Sequence, residues 1–403
     1  MLLYVHVPFC RSKCAYCSFY SVPLPQGAAG EAMLKSYLAA LLREMRRRAA
    51  QCGRVSVETV FFGGGTPSLL PGRAVAGILD EARRSFDVAA DAEISLEANP
   101  ESLLLSDLPR EARKAGVNRL SIGVQSLDDA ELAMLGRAHG SRAARTAVDV
   151  ARATGFASVN LDVLWGLPGR GGRAPSQMRL LALLKDVADL QPDHISAYEL
   201  TPEQGTPLAE ALEKGELVRP GEKASASMYL AGAEYLESRG FLQYEVSNFA
   251  RLGFACRHNL GYWQGKDYLG LGPSATSTLG NRRFTNPADL AGWIAATKRD
   301  AEPPCEHLDA VTRLEEMLML RLRTTAGLSF AEWRRASGRS FPADFAAVIA
   351  LLRREGLAGM RKGSFFLTRT GMLVSDAIIA RFFADLRARV ALSGRPDAAR
   401  SPG

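Results

Sequence analysis

Strand-like and helix-like runs take turns through the first half of this 403-residue chain, and no other feature restricts its fold so strongly. The strand-like runs are "LLYVHV", "ETVFF", "AEISLE", "NRLSIGV", "SVNLDVL" and "HISAYEL". Between them the apolar spacing predicts helices over Met33 to Ala49, Arg73 to Phe86, Ser106 to Ala115, Ser141 to Thr154 and Pro175 to Leu190. About six βα units in succession specify a parallel sheet with right-handed crossovers. The strands read as short and mostly apolar, the pattern of a sheet covered on both faces. An open sheet and a curved partial barrel fit this pattern equally. In both, functional groups gather at the C-terminal ends of the strands. Cys10 to Cys17, Gly63 to Thr66, Glu97, Gln125 and Asp162 lie just after or late in successive strands, so one rim should carry them.

After Glu199 the alternation stops. A long helix is expected over Glu222 to Ser238, then an irregular stretch rich in Gly, Asn and aromatics to about Asn286. A second unit begins near Val311 with helices at "TRLEEMLMLRLR", "SFAEWRRAS" and "PADFAAVIALLRREG", a hairpin "LAGMRKGSFFLT" and a further helix. That order points to a winged helix, but its third helix is apolar with Arg353 and Arg354 only at its end, which disfavours nucleic-acid binding. The expected division is residues 1–300 and 308–390.

Hydrophobic residues make up 47% of the chain and charged residues 23%, and no stretch reaches the roughly 18 to 20 apolar residues of a membrane span. The opening "MLLYVHVPFC" lacks the basic flank and cleavage site of a signal peptide, so it reads as a first strand and the protein as cytoplasmic. The net charge of +7 gathers at "REMRRR" (Arg43 to Arg48) and after Ala380. These read first as a solvated helix face and a loose tail, and second as weak attraction to a membrane surface.

The six cysteines do not resemble a disulfide framework: Cys10, Cys14 and Cys17 crowd together while Cys52, Cys256 and Cys305 are scattered. Structural zinc usually takes four ligands, and no fourth Cys or His follows close behind the trio, where Phe19 and Tyr20 come next. Three soft thiolates suit an iron-sulfur cluster with one open position better. "FFGGGTPS" (Phe61 to Ser68) follows the second strand, where glycines form a tight turn or let backbone approach a ligand closely. It lacks the Lys of a P-loop.

Cys10-x3-Cys14-x2-Cys17, with Tyr16 before the third cysteine, resembles the signature of the radical S-adenosylmethionine (SAM) superfamily. The resemblance implies a 4Fe-4S cluster held by Cys10, Cys14 and Cys17, with a fourth iron left for SAM, which a reduced cluster cleaves to methionine and a 5′-deoxyadenosyl radical. It implies that Gly64, Gly65 and Thr66 touch the methionyl part of SAM. Within the superfamily, Tyr4, Glu97, Gln125, Arg137 and Asp162 match SAM-contacting positions of the coproporphyrinogen-oxidase-like branch. Arg137 then suits the carboxylate, Glu97 the ammonium, and Gln125 and Asp162 the ribose. His6 shares a strand face with Tyr4 and is either a site residue or a bonded core histidine.

Two features resemble the HemW haem chaperones rather than the oxygen-independent coproporphyrinogen III oxidases. Phe19 stands where the oxidases carry a further cysteine, and "CRHNLGYW" (Cys256 to Trp263) matches the haem-associated H-N-x-x-Y-W element. His258 is then a haem-iron ligand, Cys256 a second ligand or a buried thiol, and Tyr262 and Trp263 flat faces for the porphyrin. Thr276 replaces a histidine that family members often carry. The implied function is to bind haem and deliver it to an acceptor protein, with a flavodoxin or ferredoxin supplying electrons; porphyrinogen oxidation is the enzyme alternative.

Overall fold

The computed structural model describes residues 1–170 and 176–393, so the expected helix start at Pro175 and the end of the basic tail lie outside the described residues. Contacts divide the chain into one unit of Met1–Gln243, Ser247–Gly261 and Lys266–Glu306, and a second of Tyr244–Val246, Tyr262–Gly265 and the chain from His307. No helix among the described residues is long and apolar enough to cross a membrane.

The first unit is built on a sheet of β1 (Leu2–Val7), β2 (Ser56–Gly64), β3 (Asp87–Ala98), β4 (Arg119–Gln125), β5 (Ser158–Trp165), β6 (His194–Glu199), β7 (Leu242–Gln243), β8 (Asn248–Ala250), β9 (Tyr268–Leu271), β10 (Thr276–Leu279), β11 (Arg282–Thr285) and β12 (Cys305–His307). The order is β7-β8-β6-β5-β4-β3-β2-β1-β9-β10-β11-β12. From β6 through β1 to β9 every pair is parallel. Helices α1 (Ala28–Cys52), α2 (Gly72–Ser85), α3 (Leu108–Ala115), α4 (Ser141–Thr154) and α5 (Gln177–Asp189) make the crossovers, and α6 (Glu222–Ser238), α7 (Arg257–Trp263) and α8 (Leu290–Lys298) follow.

Side chains alternate along each strand. One set, including Leu3, Val5, Val60, Phe62, Leu96, Leu120, Ile122, Leu161, Val163 and Ile195, is buried in a common core with the helices. Each such side chain contributes about 1.5 to 3 kcal/mol of burial. The alternate set is polar: Tyr4 and His6 on β1, Thr59 on β2, Glu93, Ser95 and Glu97 on β3, Arg119 and Ser121 on β4, Asn160 and Asp162 on β5, His194 and Ser196 on β6. The reading of mostly apolar strands therefore holds for one face only. Strand pairing ranks the other face in levels, with Tyr4 beside Phe61, Thr59 beside Glu93, Glu97 beside Ser121, and Gly123 beside Asp162 beside Ser196.

Two further expectations are corrected. The stretch from Ser238 to about Asn286 is not irregular, since β7 to β11 and α7 lie in it; strands of two to four residues are too short to show alternation. The arginines of α1 are a solvated face only in part: Arg43 and Arg46 are exposed, whereas Arg47 is half-buried and Arg48 buried. Arg46 bonds Glu81 (2.7 Å), Arg47 bonds the Ala301 carbonyl (2.8 Å), and buried Arg48 bonds Glu302 (2.5 Å) and lies 4.5 Å over the Phe284 ring. Those partners are 35 to 254 residues away in sequence.

The second unit contains α9 (Ala310–Arg321), α10 (Phe330–Ser337), α11 (Phe341–Asp344), α12 (Ala346–Arg354) and α13 (Ser375–Ser393), with a sheet of β13 (Leu328–Ser329), β14 (Ala358–Arg361) and β15 (Ser364–Leu367) in the order β13-β15-β14. Asp309 and Ser329 cap α9 and α10. The single helix expected at "PADFAAVIALLRREG" is two, broken at Phe345. There the backbone leaves helical geometry (φ −121°) and the ring packs 5.0 Å from Phe341 and 4.9 Å from Phe382.

Candidate functional site

The cysteine loop leaves β1 and is pinned on both flanks by backbone hydrogen bonds. The Val22 amide donates to Pro8 (2.7 Å) and the Leu24 amide to Cys10 (2.9 Å). The Ala15 amide donates to Leu135 (3.0 Å), while its carbonyl accepts from Leu208 (2.9 Å). Cys10, Cys14 and Cys17 are free, partly exposed thiols. Two donors already reach their sulfurs: Thr66 Oγ1 lies 3.5 Å from Cys10 Sγ, and Arg137 Nη1 lies 3.3 Å from Cys14 Sγ. Burial pushes the Cys17 thiol pKa up, partly offset by a backbone hydrogen bond from Phe19. Among the described residues no three Cys, His, Asp or Glu side chains are grouped to hold one metal ion. A cluster makes no such demand, because each thiolate bonds a different iron.

Beside the loop, β2 runs out in Gly63, Gly64 and Gly65. The Gly65 amide donates to Val7 (2.8 Å) and the Thr66 amide to Phe9 (2.7 Å). A Cβ on Gly65 would stand 2.6 Å from the Phe9 carbonyl oxygen, and Gly64 has φ +110°, so only glycine lets the segment lie this close to the cysteine loop. The Gly64 amide donates to Glu97 Oε2 (3.2 Å).

Glu97 is pushed up to about 8, first by burial and then by the charge of Asp162; the Gly64 amide offsets this in part. Asp162 is also raised by burial, against hydrogen bonds from Ser196, Asn160 (2.7 Å) and Ser121 (3.1 Å). Asp162 sits within β5 rather than at its end, level with Gly123. Two buried carboxyl groups on strands either side of β4 thus raise the cost of ionising Glu97.

Arg137 follows the short helix Asp129–Met134. Its Nη2 donates to Asn99 Oδ1 (2.6 Å) and the Gly123 carbonyl (3.1 Å), and burial leaves its Nε without a partner. Gln125 ends β4 at a bulge with φ +65°, a strained conformation for a non-glycine residue. A Cβ on Gly123 would lie 3.0 Å from Gln125 Nε2, 3.2 Å from Asn99 Oδ1 and 3.4 Å from Arg137 Nη2. The missing side chain lets three polar groups close in on this point of the strand. Tyr16 is hydrogen-bonded to Arg137, and burial raises its hydroxyl pKa.

Tyr4 and His6 close the side near β1. The Tyr4 hydroxyl lies 3.2 Å from His6 Nδ1, and His6 Nε2 lies 3.1 Å from the Tyr20 carbonyl. His6 is thus a bonded histidine at the edge of the site.

The structure does not bring Cys256 and His258 to this rim. They lie at the level of Thr59 and Glu93, four residues or roughly 13 Å down the strands from Gly63 and Glu97. Both are about 1% exposed. Glu93 accepts from the Cys256 thiol (3.4 Å) and from the Arg257 and His258 amides (3.0 Å each). Burial pushes the Cys256 thiol up to about 12 and His258 down to about 3. In this conformation both side chains are enclosed. Tyr262 and Trp263 are half-buried, and Thr276 bonds Thr285 (2.9 Å).

The rim fits a zwitterionic, electron-accepting assembly: paired carboxyls await a cation, a guanidinium keeps a donor in reserve, and donors face two of three thiols. Asn99, which also donates to Thr66 Oγ1 (3.1 Å), is the residue that sequence reasoning missed. The signal was available, since Asn99 stands two positions beyond Glu97 and so leaves β3 on the same face. Glu93 is also missed, and no local pattern marks it.

Residues 4–178 match the model of the radical SAM superfamily, and residues 308–374 match that of the HemN C-terminal domain. The haem chaperone HemW of Bacillus subtilis is 32% identical over 386 residues, 95% of this chain and 99% of that one. HemW of Mycobacterium tuberculosis is 37% identical over 380 residues, covering 94% and 93%. In fold, the radical SAM enzyme coproporphyrinogen III oxidase (HemN) of Escherichia coli superposes with a TM-score of 0.78 at 25% identity, covering 94% of this chain and 89% of that one. The chain therefore belongs to the HemW haem chaperone family of the radical SAM superfamily.

Proposed function

We propose that this protein binds a 4Fe-4S cluster, SAM and haem, and passes the haem to an acceptor protein in the cytoplasm. The observation that carries the cofactor reading is the pinned loop of three thiols, two of them already facing a hydrogen-bond donor, beside a paired-carboxyl and guanidinium site. Cys10, Cys14 and Cys17 hold the cluster, which when bound supplies one-electron chemistry at an iron left open to SAM. Arg137 pairs with the SAM carboxylate and Glu97 with its ammonium, giving up a proton as it does so. Gly64, Gly65 and Thr66 present backbone to the methionyl chain. Tyr4, Tyr16, Gln125 and Asp162 complete the walls. A flavodoxin or ferredoxin is the proposed electron source.

The haem reading is supported by the family and by the "HNLGYW" segment, whose Tyr262 and Trp263 offer aromatic faces. For Cys256 or His258 to ligate iron, α7 must first leave Glu93. Arg47 and Arg48 are taken up in internal pairs, so any membrane attraction falls to exposed Arg43 and Arg46 and to the tail after Ala380. The proposed functional division places the SAM and haem machinery in residues 1–300 and a C-terminal domain in 308–390, with Tyr262 and Trp263 grouping by contacts with the second unit.

Haemin added to anaerobically reconstituted protein should give a Soret band that saturates at a fixed stoichiometry; a flat titration removes the chaperone reading. The fold likeness to HemN supports one alternative, porphyrinogen oxidation. Coproporphyrinogen III converted in the presence of SAM and reductant would establish it.

A further inference from the structure

α7 is fastened at its start by Glu93, and the fastening places one side chain beneath the rim. His258 Nδ1 lies 2.7 Å from Thr59 Oγ1, and its ring stacks on Phe61 at 4.9 Å between centroids and 27° between planes. The Tyr4 ring is 6.5 Å from His258 and 6.3 Å from Phe61. A second layer rests on these rings. A Cβ on Gly63 would lie 2.9 Å from Tyr4 Cε2, 3.0 Å from Phe61 Cε1 and 3.2 Å from Glu97 Oε2, so the ring pair and the carboxylate both crowd the same glycine. A Cβ on Gly64 would strike the His6 ring at 2.6 Å, so the column continues to the glycine that donates to Glu97.

We propose that His258 is a positioning residue for the SAM site: its ring props Phe61 and Tyr4 against Gly63, Gly64 and Glu97 and so fixes the groups that receive SAM. The proposal rests on the reading, given above, that SAM occupies this rim. The physical ground is close packing. A buried aromatic stack transmits a void, because rings with no neighbour beneath them settle and the backbone above them follows. His258 then serves the cofactor site from the far end of the strands without touching it. A lost haem signal in a His258 variant would not by itself identify an iron ligand.

The test uses the full chain, reconstituted without air and matched for iron content, with SAM titrated against the EPR signal of the reduced cluster. His258→Ala should weaken SAM binding about tenfold or more, and His258→Phe, which keeps a flat ring in the stack, should remain within about threefold of wild type. If His258→Ala does not fold, His258→Leu takes its place, since it fills space without a flat face, and it should also bind weakly. SAM affinity unchanged in His258→Ala or His258→Leu overturns the proposal, as does equal weakening in His258→Phe. A wild-type cluster whose signal ignores SAM sinks the underlying reading instead, before any variant is compared.

Discussion

The two ends of one sheet face differ in how their polar groups are satisfied. At the floor, Glu93 accepts three hydrogen bonds from the start of α7, Arg119 bonds Ser158 (2.7 Å), and His194 Nδ1 lies 2.6 Å from Asn160 Oδ1. At the mouth, burial and the charge of Asp162 raise Glu97, Arg137 Nε has no partner and Gln125 holds a strained backbone. The same strands thus carry a floor built for stability and a mouth built to receive something. Buried polar groups cost free energy unless bonded, and Ser95 Oγ lower on this face is also unsatisfied, so what sets the mouth apart is that a spare guanidinium donor and two raised carboxyls gather on one rim.

The sharpest break between the ends should come from Cys14→Ala at the mouth. It should abolish cluster incorporation, read as iron and sulfide content, while leaving the melting temperature of the apo-protein within a few degrees of wild type. At the floor, His258→Ala should do the opposite in stability. Loss of a buried ring and its hydrogen bond to Thr59 should cost about 3 kcal/mol in denaturant unfolding.

Glu97→Gln should stabilise the apo-protein where the floor variant destabilises it. The folded-state pKa of Glu97 is about 8, above its unfolded value near 4.3, so the folded chain holds a proton that the unfolded chain releases. Stability therefore falls as pH rises through this window. The variant should gain on the order of 1 to 3 kcal/mol at pH 9 relative to wild type, and little at pH 4, by chemical denaturation. A stability gain independent of pH would contradict the like-charge account.

The smallest effect is a pH slope. Because an ammonium partner requires Glu97 ionised, SAM affinity should rise with pH up to about 8, by at most about tenfold per pH unit, and flatten in Glu97→Gln. Calorimetry in two buffers should show proton release on binding below pH 8 and none in the variant.

Much of this contrast was legible in sequence. The βα alternation and the spacing of Cys10, Cys14 and Cys17 are local patterns, and strand ends predict a rim. The floor was not legible, since Glu93 meets α7 from more than 160 residues away and nothing near either end announces the pairing. The polar face was hidden for a related reason: runs such as "NRLSIGV" alternate, but Gly and Ser read as neutral fillers until register places Ser121 beside Glu97. His258 was drawn to a haem role by its neighbours in sequence, whereas its neighbours in space are Thr59, Phe61 and Tyr4.

The most direct test of the central claim is an EPR spectrum of the reduced, anaerobically reconstituted protein before and after SAM. A 4Fe-4S signal that changes shape as SAM saturates is the predicted result. A protein that takes up zinc instead, or a cluster signal indifferent to SAM, would contradict the account.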